Sequence, residues 1–142
     1  MFFNKTYEER LRIWHDFRQV LESAEDPFQE AIDAYETVPT EHMSVDPYTP
    51  SAWPNPWELI KENSYCLFGK LLGIAYSLQL TERFSQEKFE IHIFIDRAKS
   101  NHYYLLNVGE VVIGYENQLR ITRQNFPKDL QPQMQYSMPA LN

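Results

Sequence analysis

The 142-residue chain has a single cysteine, Cys66, so it can close no internal disulfide and build no Cys-rich zinc site. Its four glycines fall in neither GxGxxG nor GxxxxGK spacing, which removes the two common glycine-rich phosphate cradles. Basic residues are outnumbered, 13 Lys and Arg against 20 Asp and Glu, and they are scattered rather than clustered. The net charge of −7 therefore disfavours binding to nucleic acid or to an anionic membrane. No apolar run reaches 18 residues. The longest, 65–80, contains Lys70 and Gln79 and reads as a buried helix, not a membrane span. The opening MFFNKTYEERLR lacks a basic n-region, an apolar h-region and a small-residue cleavage site, so no signal peptide is expected. The four histidines, His15, His42, His92 and His102, show no metal-ligand spacing, and neither a metal nor a cofactor is expected.

What is present suffices for a core. Hydrophobic residues make up 43% and aromatics 15% of the chain, which excludes compositional disorder. The length predicts a single domain that buries about 68–70% of its unfolded surface. Thr6 followed by Glu9 is a capping box, and Tyr7, Leu11, Trp14, Phe17 and Leu21 recur at helical spacing, so a helix is expected from Thr6 to Glu25. Asp26-Pro27 starts a second helix whose apolar face is Phe28, Ile32 and Tyr35. Residues 37–56 carry five prolines, a density that neither a helix nor a central strand tolerates. This arm also carries Tyr48 and Trp53, with Trp57 just beyond it. Such a segment either packs on its own domain or is offered to a partner.

Pro56 opens a helix through WELIKE, with a break expected near Asn63-Ser64. From Cys66 to Leu80 the chain is apolar nearly all round, which predicts a central buried helix. The period then changes from 3.6 to 2. Phe89, Ile91, Ile93 and Ile95 alternate with Glu90, His92 and Phe94; His102–Val108, Val111–Tyr115 and 118–122 follow, with Gly109 at a hairpin turn and Asp96 capping the RAKSN turn. The expected class is α+β: N-terminal helices and a central buried helix packed on a three- or four-stranded antiparallel meander, with helix and sheet together spanning 57–122 and the sheet itself about 88–122. The tail, 123–142, has three prolines and no evident periodicity. It is read as an extended segment that would fray unless tied to its own domain or to neighbouring subunits.

A Cys at the head of a helix, a strand opening on His102 and a hairpin leading to Glu116 and Asn117 resemble, in this order, the transglutaminase-like cysteine fold. The resemblance covers residues 62–117. It implies Cys66 as nucleophile, His102 as base and Glu116 or Asn117 as the group orienting the ring, with the helix N-terminus and the imidazolium lowering the thiol pKa. The sequence departs from that family in having Tyr65 and Leu67 beside the Cys, HYYLL after the His and no Asp at the third position. The stretch AWPNPWELIKENSYCLFGKLLGIAYSLQLTERF resembles small proteins of T4-like cyanobacterial phages, which implies a virion or host-cytoplasm setting. Two functions are therefore expected to compete. One is a non-enzymatic assembly protein, such as a minor virion component, whose partner is protein and whose contact residues are Tyr48, Trp53, Trp57, Met134, Tyr136 and Met138. The other is a cysteine hydrolase or acyl transferase using Cys66, His102 and Glu116.

Overall fold

The computed structural model describes residues 2–114, 119–121, 126–139 and 141. Among the described residues, four α-helices and a five-stranded antiparallel sheet make it an α+β protein. Its contacts divide it into two compact units, Met1–Gln86 with Leu141–Asn142, and Glu87–Ala140.

The first unit is helical. Helix α1 spans Tyr7–Ser23 and opens on the expected capping box: Glu9 N–H donates to Thr6 Oγ1 at 3.2 Å, and Thr6 N–H donates back to the Glu9 carboxylate at 3.1 Å. Helix α2, Pro27–Glu36, starts on Asp26, whose carboxylate accepts from Gln29 N–H. Helix α3, Pro56–Glu62, has a second capping box from Asn55 and Glu58. It stops where Asn63 turns left-handed at φ 51°, a conformation Asn tolerates better than most residues. The buried Arg10 then ties off its C-terminal end by donating to the carbonyls of Ile60 and Lys61. Helix α4, Leu67–Gln79, is buried from Phe68 to Leu78 without interruption and packs against α1, α2 and α3. Gly73 is required in it. A Cβ there would meet the Tyr35 ring at 2.4 Å, so the glycine lets that phenol lie directly on the helix backbone. Ser77, one turn on, accepts from the Trp14 indole at 2.8 Å and sits 3.3 Å from the Tyr35 hydroxyl, joining three helices at one buried oxygen.

The second unit is the sheet, in strand order β4-β3-β2-β1-β5. Strands β1 (Phe89–Asp96), β2 (Asn101–Val108), β3 (Val111–Gly114) and β4 (Leu119–Ile121) form the expected meander. Asp96 accepts from Ala98 and Lys99 N–H in the first turn, and Gly109 takes φ 58° in the second. The fifth strand is a correction to the sequence reading. Leu130–Ser137, in the tail expected to lack strand pattern, forms β5 and pairs antiparallel along the whole outer side of β1. A bulge opposite Ile93/Phe94 shifts the register at Gln133, so Met134 and Tyr136 share the face of Ile93 and Ile91 while Pro132 lies with Phe94. Among the described residues no helix is long and apolar enough to cross a membrane.

Candidate functional site

The break at Asn63 decides the geometry of Cys66. Because α3 ends there, Cys66 is the N-cap of α4, and its Sγ accepts from Gly69 N–H at 3.3 Å. The arm supplies further donors, the backbone N–H groups of Ser44 and Val45 and the Ser44 hydroxyl. Burial pushes the thiol pKa up, but these donors outweigh it and hold the group below its ordinary value. The sulfur is nonetheless fully buried. Its hydrogen bonds join the arm to the start of α4, which makes it a structural cap. His102 lies in the second unit, at the second position of β2, with its side chain exposed. Glu116 and Asn117 lie outside the described residues. Among the described residues no three His, Cys, Asp or Glu side chains converge on a metal-sized site.

The arm is folded onto its own unit. Asp46 accepts from Tyr48 N–H and from the Thr49 hydroxyl, and these contacts hold its pKa below the usual carboxylate value. The Trp53 indole donates to the Asp46 carbonyl at 3.0 Å and lays its ring 5.2 Å from that of Phe68. The Tyr76 hydroxyl donates to the Pro54 carbonyl at 2.6 Å, and Lys70 donates to the Val38 carbonyl. Trp53 is thus a half-buried brace. Tyr48 is exposed on the same arm. In the tail, Met138 is buried, Tyr136 is half-buried and Met134 is exposed.

Trp57 stands differently from Trp53. It opens α3 with half of its surface in solvent, 50%, although its ring meets Trp14 edge-on at 5.6 Å. Across the face of Trp14, at 4.5 Å, lies the Arg18 guanidinium. The Nε of Arg18 is buried without a hydrogen-bond partner, and among the described residues no carboxylate comes within ion-pair distance of it. Burial lowers its pKa from the ordinary guanidinium value. Arg18 does not stand out in the sequence as a site residue; the signal that finds it is its position four residues after Trp14, which stacks the two on one helix face. A second apolar feature adjoins the start of the arm, a depression of about 410 Å³ lined by Phe2, Phe3, Val38, Pro39 and Glu41, with Phe3 75% exposed.

The chain matches no family model, no curated protein and no solved structure.

Proposed function

We propose that the protein is a non-enzymatic interaction protein of a larger assembly, with a virion as the setting that the sequence resemblance suggests. The observation that carries this reading is the Trp57–Trp14–Arg18 cluster. The half-exposed Trp57 indole and the partly desolvated Arg18 guanidinium both pack on Trp14, and tryptophan and arginine are the residue types enriched in protein interface hot spots. Trp57 offers a large rigid surface, and Arg18 offers the terminal amino groups of its guanidinium to a carboxylate, so the partner is a protein surface that presents an acidic side chain next to an apolar group. Tyr48 extends the aromatic content of the same unit.

The test is a photo-crosslink placed at the site. A photoreactive phenylalanine at position 57 is expected to give one discrete protein adduct in the cells that make the protein, and Arg18→Glu is expected to abolish it. The same label at the exposed Gln29 should give none. No adduct from position 57, or an adduct indifferent to Arg18→Glu, overturns the reading.

The cysteine hydrolase is the second reading, favoured by one observation, the placement of Cys66 at a helix N-cap with a lowered thiol pKa. Its complete burial weighs against access by substrate. Rapid native labelling of Cys66 that is lost on His102→Ala is the result that promotes it.

A further inference from the structure

Strand β5 is an edge strand. It pairs with β1 on one side, and among the described residues no strand lies on the other. The direction of its backbone groups follows from one bond. Met138 N–H donates to the Phe89 carbonyl at 2.9 Å, and in an antiparallel ladder the residues that bond a given neighbour alternate. Met138, Tyr136 and Met134 therefore turn their backbone groups to β1, opposite Phe89, Ile91 and Ile93. Ser137 and Gln135 turn theirs outward. Pro132 and Pro139, which have no N–H to give, bracket this outward-facing window.

Two outward residues spaced two apart are self-complementary in a particular way. We propose that β5 pairs antiparallel with β5 of a second copy of this chain, about a two-fold axis at Tyr136. Gln135 then faces Ser137 of the partner strand and Ser137 faces its Gln135. Each facing pair exchanges two backbone hydrogen bonds, so the window is fully used and the prolines stop the ladder at both ends. The side chains suit the same register. The two copies of Tyr136 meet at the closely spaced, non-hydrogen-bonded position where aromatic pairs stabilise a sheet, and the 43% exposed Met134 comes opposite the partner's Met138. The Gln135 amide already donates to the Glu90 carboxylate at 2.7 Å, so it is ordered before the partner arrives.

Charge selects a second copy as the occupant. The sequence of β5, LQPQMQYS, contains no Asp, Glu, Lys, Arg or His, in a chain that is 23% charged. Natural edge strands are commonly blocked by such charges. Here two copies of a protein with net charge −7 meet along a strand that brings no like charges together. The short window limits pairing to two chains and keeps the contact weak, with a Kd of roughly 10–100 µM. The proposed contact uses none of the residues of the Trp57–Arg18 cluster, so either proposal can fail without the other.

The experiment is sedimentation of the full chain up to about 1 mM, combined with amide hydrogen exchange. The wild type is expected to pass from monomer to dimer, with the amides of Gln135 and Ser137 gaining protection as concentration rises. Those of Met134 and Tyr136 should be protected at every concentration. Gln135→Pro removes an outward donor and no backbone bond to β1, only the side-chain bond to Glu90, and should weaken the dimer at least tenfold with unchanged circular dichroism. Should that variant misfold, Tyr136→Lys, which sets like charges across the axis, serves in its place. A wild type that stays monomeric, a dimer indifferent to these substitutions, or Gln135 and Ser137 amides indifferent to concentration overturns the proposal. So does growth beyond a dimer.

Discussion

The arm at 37–56 and the tail at 126–139 have the same vocabulary of proline, polar residues and isolated aromatics, and they fold in opposite ways. The arm forms no strand. Its backbone groups are met one at a time, by the Trp53 indole at the Asp46 carbonyl, by the Tyr76 hydroxyl at the Pro54 carbonyl and by the Tyr65 carbonyl at Glu41 N–H. The tail forms a ladder eight residues long. The difference lies in the neighbour. Strand β1 carries Ile91 and Ile93, both fully buried, and has a second side to pair; the tail supplies that pairing. Proline sets where a ladder stops, and the surroundings set whether it begins.

Removing the tail has the largest expected effect. Deleting 127–142 turns β1 into an edge and takes away the buried Leu130 and Met138. The second unit should lose about 4 kcal/mol or more of stability, read from urea unfolding of the sheet. A truncated chain with an unchanged urea midpoint would show that β5 is an ornament on a self-sufficient meander.

The arm offers the matched test. Trp53→Ala removes the ring from Phe68 and the indole donor from Asp46, and should cost about 2–3 kcal/mol in the first unit. Trp57→Ala, at a half-exposed ring four residues on, should cost less than about 1 kcal/mol. Equal costs would mean that the two indoles have the same role, contrary to their placement.

Tyr76→Phe strips the donor from the Pro54 carbonyl and should cost about 1–2 kcal/mol. The same hydroxyl gives the fold an alkaline limit. Burial pushes the Tyr76 phenol up to about 12, helped by the nearby Glu58; burial also raises Tyr35 to about 12, against the pull of its Ser77 hydrogen bond. Unfolded phenols ionise near 10. The stabilisation is therefore intact below pH 10 and is lost as pH rises from 10 towards 12. Thermal unfolding of the wild type should fall steeply across that window, and the drop should be shallower in Tyr76→Phe and Tyr35→Phe.

Local signals in the sequence reached the helices almost intact. Thr6 with Glu9, Asp26 with Pro27 and the break before Cys66 are short-range chemistry, and each acts within a turn of where it is written. The meander was legible because Phe89–Ile95 alternates strictly. Strand β5 was hidden because Pro132 interrupts it and the bulge at Gln133 reverses the faces midway, so no single alternation runs through it. The roles of Trp53 and Trp57 were equally hidden. Both follow from which helix face the arm lies on, and that depends on residues distant in sequence such as Phe68 and Trp14.

The smallest expected effect belongs to Cys66, and it concerns the joint between the arm and α4. Serine can also accept the N-cap bonds, so Cys66→Ser should change stability by less than about 1 kcal/mol at pH 7. Its effect should appear in the pH dependence. The thiol pKa in the folded protein lies below the ordinary value of 9.0, because the N–H groups of Ser44, Gly69 and Val45 favour the thiolate more than burial disfavours it. The folded state therefore binds fewer protons than the unfolded state as pH rises towards 9. The thiolate contribution is full above 9 and is lost as pH falls through the folded value. Urea midpoints measured from pH 7 to 9.5 should show the wild type gaining on Cys66→Ser as pH increases. The same burial should keep the native thiol from a disulfide reagent until the unit unfolds, so labelling should follow the unfolding rate and accelerate with added urea. Labelling in seconds without denaturant would mean that the arm opens readily, and the sulfur would then be a reactive group rather than a cap.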